Sequence, residues 1–180
     1  MLLTDSINEK EISWNKNLKG NQLSLKQDQK TVFAMGTAYN SIISEQKFDS
    51  GHNLVKLIVN KSIGNVFFGL IGDNEYECIN TCPRKNEKVW AIGPKLVFDN
   101  SEEKLFNEKY EEIRLFLQEK DLIVEMLLDF QEKKMSFILT NCNGTMKFDF
   151  MTLNSYYFYK IIVVTNIEAE ITIDKLFRID

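Results

Sequence analysis

The chain is poor in the residues that most reaction chemistry requires. It has one histidine, three cysteines and two prolines in 180 residues. Any Ser-His-Asp or Cys-His site would have to use His52. That residue closes the turn Phe48-Asp49-Ser50-Gly51-His52 and leads into an apolar strand, which predicts a structural role. Cys78, Cys82 and Cys142 are odd in number and lack a second closely spaced ligand pair, so neither a disulfide framework nor a zinc site is expected. Free thiols in a reducing compartment, with no metal or other cofactor, are the expectation. The start, MLLTDSINEKE, has neither the basic nor the apolar region of a signal peptide, and no apolar run approaches the length of a membrane span. The chain therefore reads as intracellular, cytoplasmic, and without a membrane partner. The triplets Asn60-Lys61-Ser62 and Asn143-Gly144-Thr145 are then expected to carry no glycan. Basic residues are also in deficit: 22 Lys and Arg against 26 Asp and Glu leave a net charge of -4, the wrong sign for a phosphate-tracking surface, so no nucleic acid is expected. No glycine-rich phosphate loop is present. The acidic run Glu102, Glu103, Glu108, Glu111 and Glu112 is interspersed with lysines and reads as a solvated face. No catalysis is expected.

What the chain does have is phenylalanine and strict alternation. Thirteen Phe among 12% aromatics favour strands and thick cores between sheets. Between Asp121 and Leu139, the residues Leu122, Val124, Met126, Leu128 and Phe130 occupy every second position, which sends them to one face of a strand. After the polar break Gln131-Glu132-Lys133-Lys134 the alternation restarts with Met135, Phe137 and Leu139. This is a hairpin with one buried face. Leu23 and Leu25, then Thr31 to Met35, give a second hairpin. Leu54 to Val59 alternates, while Val66 to Ile71 is apolar on both faces, as in a strand at the centre of a sandwich. Val89 to Ile92, Leu96 to Phe98, Met146 to Phe150, Tyr156 to Val164 and Ile167 to Ile173 continue the pattern. The expectation is an all-β, antiparallel sandwich forming one domain over residues 12–180, preceded by a polar arm, 1–11, with Trp14 covering one end of the core. At most one short helix is expected, near 102–117, suggested by Asn100 with Glu103 and by Phe106, Tyr110, Ile113 and Leu117 at helical spacing. Residues 72–88 form the longest loop.

The order of these elements resembles the SPRY domain, a β-sandwich of concanavalin-like jelly-roll type. Phe48 to His52 is similar to its F-x-x-G-x-H turn, and Val66 to Gly69 to its F-x-V-G run. Trp90-Ala91-Ile92 stands where the family has Trp-Gly-hydrophobic. Asp121-Leu122-Ile123, Leu127-Leu128-Asp129-Phe130 and Met135-Ser136-Phe137 resemble G-D-x-I-G-x-x-L-D followed by L-S-F. Ser13-Trp14-Asn15, Leu23 to Leu25 and Thr31 to Phe33 resemble the extension of its SOCS-box-linked members. The likeness runs from about residue 12 to 175. Leu54-Val55 replaces the family's Tyr-Trp, and Lys120 replaces the Gly before Asp121, so the chain is a divergent example.

The resemblance implies an intracellular adaptor-like module that recognises a short peptide or loop of a partner protein. It places the partner-binding surface where the loop Met35, Thr37 and Tyr39 meets Tyr76 and Ile79 of the long loop and the turn Thr165-Asn166. Only Tyr76 and Ile79 match the SOCS-box-linked pocket, so that subfamily's ligand does not carry over. A structural subunit of a multi-protein assembly is the alternative reading, and a carbohydrate-binding sandwich a remote one.

Overall fold

The computed structural model describes residues 7–36, 38–62, 66–73, 79–80, 88–93, 96–99, 102–105, 113, 117, 121–154, 157–166 and 168–179. The alternating segments become strands, and among the described residues they form two antiparallel sheets. The first, of eight strands, runs β13 (Gly144–Thr152), β12 (Lys134–Asn141), β11 (Ile123–Asp129), β6 (His52–Ser62), β15 (Ala169–Ile179), β4 (Thr31–Ala34) and β3 (Leu23–Leu25), with β1 (Ile7–Lys10) paired to β15 beside β4. The second, of seven strands, runs β10 (Glu102–Leu105), β9 (Leu96–Asp99), β8 (Val89–Ile92), β7 (Val66–Gly72), β14 (Tyr159–Thr165), β5 (Asn40–Ser44) and β2 (Trp14–Lys19). No helix among the described residues is long and apolar enough to cross a membrane.

The hairpin expected around Asp121 to Leu139 sets the register of the first sheet. Val124, Met126 and Leu128 stand opposite Leu139, Phe137 and Met135, and across the other edge opposite Leu57, Val55 and Asn53. The six apolar hairpin residues are fully buried, Leu122 nearly so, and Phe130 is half-buried against the same core. A four-residue turn with Lys133 in the left-handed region (φ 53°) reverses the chain. Phe137 lies deepest, stacked on Phe148 at 5.5 Å and edge-on to Phe150 at 5.2 Å. The opposing sheet contributes Val66, Phe68 and Leu70 of β7, Trp90 and Ile92 of β8, and Tyr159, Ile161 and Val163 of β14.

The seven-stranded sheet is apolar on its outer face as well. Phe67 and Ile71 join Ile43, Val89, Ala91, Ile162 and Val164 in a second cluster, on which Leu18, Tyr39 and Ile79 pack. This is the double burial read from Val66 to Ile71. Gly69 sits inside that layer because β8 crosses so close that a Cβ would collide with the Trp90 carbonyl and Ala91.

Three expectations change. Residues 7–10 are no free arm: they pair with Leu176 to Ile179 of β15. Trp14 and Ile12 lie wholly inside the core, because β2 adds a strand beside β5. Residues 102–105 extend into β10, in a hairpin with β9, where a helix start was expected; strand pairing with Leu96–Asp99 overrides the capping pattern. Ile113 and Leu117, both helical in backbone, are buried in the core cluster, as their spacing suggested. Asn100, Phe106, Glu108, Tyr110, Glu111 and Glu112 lie outside the described residues. His52 faces Asp129 across the β6–β11 ladder, Nε2 3.2 Å from Oδ1, a cross-strand contact at a strand end.

Two tests follow from the packing. Phe137→Ala should destabilise the domain by about 3–5 kcal/mol in denaturant unfolding, because its ring is enclosed by two others; a loss below about 1 kcal/mol would contradict the packing. Tyr159 is fully buried, its oxygen accepting the Asn154 N–H at 2.7 Å beneath Trp90. Burial pushes its phenol above the ordinary 10.0. The neutral form is thus favoured in the fold. Its contribution is complete below the unfolded value and is lost as pH rises through the raised one. Unfolding free energy above pH ~10 should fall less steeply in Tyr159→Phe than in the parent chain; parallel curves would refute the assignment.

Candidate partner-binding end of the sandwich

At one end of the sandwich four connections cross between sheets: β2 to β3, β4 to β5, β6 to β7 and β14 to β15. The ladders fix where they emerge. Ala34 pairs with Ala169, and Ala169 with Ser62; Asn40 pairs with Thr165, and Thr165 with Val66. The end of β4 and the start of β5 therefore stand beside the start of β15 and the end of β14 respectively. The β2–β3 turn joins them: Gly20 N–H donates to the Ser41 carbonyl at 2.9 Å, and Met35 N–H to the Gln22 carbonyl at 3.3 Å.

Asn40, almost fully buried, is the clasp. Its Nδ2 donates to Gln22 Oε1 at 3.1 Å and to the Ala38 carbonyl at 2.9 Å, and its Oδ1 accepts the Gln22 N–H at 3.3 Å. Gly20 and Gly36 permit this approach, since a Cβ at either would collide with Asn40 or Gln22. The result is an open groove of about 420 Å³ lined by Asn21, Gln22, Leu23, Ser24, Met35 and Gly36. None of these carries a charge. Lys26 pairs with Glu170 at 3.1 Å and Lys61 with Glu168, while the Lys19 ammonium donates to the carbonyl of the groove-lining Leu23 at 2.9 Å.

Ile79 and Asn80, the described residues between Asp73 and Lys88, sit at this end, with Ile79 packed on the outer cluster of the seven-stranded sheet. The long excursion after β7 leaves at Gly72 and returns at Lys88, which are hydrogen-bonded to each other at 2.8 Å. In between, the Ile79 carbonyl accepts the Ser41 N–H at 2.8 Å and Asn80 Oδ1 accepts the Asn21 N–H at 2.8 Å.

The residues singled out from the sequence divide accordingly. Met35 stands just past β4 and is 79% exposed, the most exposed large hydrophobic among the described residues. Asn166 is half-buried, and its Oδ1 is enclosed with no hydrogen-bond donor. Tyr39 is half-buried, its ring 6.3 Å from Phe67, and Ile79 packs on the same outer cluster. Thr165 is buried at the end of β14. Thr37 and Tyr76 lie outside the described residues. The structure therefore gathers Met35, Tyr39, Ile79, Thr165 and Asn166 at one end, with Met35 lining the groove and Tyr39 and Ile79 serving as cover for apolar sheet. Sequence reasoning missed Asn40 and Gln22. The available signal was a polar residue, Asn40, flanking the apolar pair Ile42-Ile43.

Among the described residues no three His, Cys, Asp or Glu side chains converge on a point that would hold a metal ion. Cys142 is an exposed thiol in the β12–β13 turn; Cys78 and Cys82 lie outside the described residues. The arrangement suits non-covalent contact with an uncharged, partly apolar segment.

No family model matches the sequence, and no curated protein matches it. Solved structures do match in shape. The SPRY domain of human HERC1 aligns with a TM-score of 0.65 over 93% of this chain and 98% of its own, at 9% identity. The PSpry domain of TRIM65 gives 0.66 over 92% and 90%, at 12% identity. Stonustoxin gives 0.63 over 91% of this chain and 27% of its own, at 14% identity. Two antiparallel sheets, aligned over nearly the whole of both domains, identify this sandwich as a divergent SPRY fold.

Proposed function

We propose that the chain is an intracellular protein-interaction module that holds a short peptide or loop of a partner protein in the groove beside Met35, with no reaction of its own. The observation that carries this reading is Met35 itself, an apolar side chain 79% exposed at the lip of a groove whose lining carries no charged side chain. Met and aromatic residues are enriched where proteins meet, and sites on loops held by a rigid scaffold are favoured for recognition. The SPRY fold supports the reading, because SPRY domains are protein-recognition modules. Asn166, just past β14, is the polar candidate at the same end of the sandwich.

Panning a displayed peptide library on the purified protein tests it. Enriched peptides should bind Met35→Glu about thirtyfold more weakly or worse, while the melting temperature moves by no more than a few degrees. Peptides indifferent to both Met35→Glu and Asn166→Ala would place the site elsewhere. Asn40→Ala should act differently. By leaving Gln22 and the Ala38 carbonyl without their partner it should cost about 1–3 kcal/mol in denaturant unfolding and weaken the same peptides. Unchanged stability would show that the clasp does not shape the groove.

A further inference from the structure

Strand β13 (Gly144–Thr152) is nine residues long and lies at the end of the eight-stranded sheet. One side is paired with β12; no backbone hydrogen bond among the described residues uses the other. The remaining sheet margins are shorter or guarded. β3 has three residues, and Lys19 Nζ caps its Leu23 carbonyl at 2.9 Å. β1 and β10 have four each, and the pairing of β2 with β5 is irregular between Trp14 and Lys19. A long uncovered edge is a template for another strand.

The side chains of β13 say which strand. On the core side Met146, Phe148 and Phe150 are only half-buried, although Phe148 and Phe150 lie against the enclosed Phe137 ring, so the apolar layer continues past the last strand. On the outer face Lys147 and Asp149 are exposed neighbours on either side of Phe148. Asp149 is held at the edge by Lys134 Nζ at 2.8 Å and by the Ser136 hydroxyl, which donates at 2.8 Å. Those two contacts keep its carboxyl below the usual range and therefore charged.

An antiparallel strand with the same sequence, related by a two-fold axis through Phe148, brings Lys147 opposite the copy's Asp149 and Asp149 opposite the copy's Lys147. Phe148 then faces itself. Centring the axis on Lys147 or on Asp149 would oppose like charges, which disfavours those registers. We propose that the outer edge of β13 is a self-association surface, on which a second copy of this chain adds its own β13 antiparallel about Phe148. The resulting interface is isologous and continues the eight-stranded sheet across the two-fold axis. The register shift opposite Met135 and Ser136 interrupts the ladder beyond Asp149, so the regular pairing is short and the dimer is weak and reversible. This surface is independent of the groove beside Met35.

Sedimentation equilibrium from low micromolar to about 100 μM tests it. The parent chain should pass from the 21.0 kDa monomer toward twice that mass. Lys147→Asp and Asp149→Lys each place like charges opposite one another and should weaken self-association at least about tenfold. An equimolar mixture of the two variants restores opposite charges at both positions and should dimerise again, which a mere loss of folding in either variant would not allow. A parent chain that stays monomeric throughout overturns the proposal and leaves the edge to a strand of another protein. Variants that dimerise as the parent does, or a mixture that remains monomeric, overturn it too.

Discussion

Two rows of alternate side chains pressed together hold this domain. A strand offers only every second residue to a given face, so neither sheet can bury its apolar row alone. Val124, Met126 and Leu128 with Val55 and Leu57 supply one row; Val66, Phe68, Leu70, Ile161 and Val163 supply the other. Since a one-residue slip would turn every one of these side chains to the wrong face, the contact fixes both registers at once. The registers in turn fix where each connection leaves the sheet. The positions of Met35 and Asn166 are therefore consequences of core packing some distance away.

The second apolar layer shapes the rest. β7 and β14 present Phe67, Ile71, Ile162 and Val164 away from the first sheet, and exposing them would forfeit roughly 1.5–3 kcal/mol per large side chain. The chain answers by drawing Leu18, Tyr39 and Ile79 over them. Ile79 belongs to an excursion that begins and ends at the opposite end of β7, so covering the sheet is what carries it to Ser41 and Asn21. Of the residue pair that looks most like a ligand pocket in sequence, Tyr76 and Ile79, the described member, Ile79, covers the outer apolar layer of the sandwich. The groove itself relies on smaller residues, with Asn40 replacing water as the partner of Gln22 and of a loop carbonyl.

Much of the fold was legible because its signals are local. Alternation needs no knowledge of distant residues, and it located most strands from Leu23 to Ile173, including the hairpin pairing Met126 with Phe137, but not β5, whose Asn40-Ser41 start reads as loop. What escaped depended on pairing partners far along the chain. The segment Glu102 to Leu105 carries a helix-start pattern, but the neighbouring strand Leu96–Asp99 supplies hydrogen bonds that the local preference does not foresee. Trp14 looks like an isolated anchor until β5 is set beside it. In the candidate site, Met35 stood out as an apolar residue in a polar loop, whereas Asn40 did not, because its value lies in contacts with Gln22, eighteen positions away. Thr165 was singled out by its neighbours in sequence, and the ladder buried it.

Edges are where a sandwich remains chemically unfinished. The interior satisfies its backbone through ladders, and the crossing loops satisfy theirs through clasps such as Asn40, but a terminal strand keeps one side bare. This chain treats its margins unequally. On the β3 side a lysine caps the exposed carbonyl, the strand stops after three residues, and the charge of Lys26 is spent on Glu170. On the β13 side the strand runs three times as long, keeps a half-buried aromatic row, and sets Lys147 and Asp149 on either side of Phe148. Residues that only discouraged pairing would carry one sign of charge, because a strand meeting its own copy would then repel it. Opposite charges spaced evenly about a central aromatic residue do the reverse for an antiparallel copy. The same alternation that sends Met146 and Phe148 inward leaves these two charges outward, so the pattern that builds the core also writes the proposed recognition code on the edge strand β13.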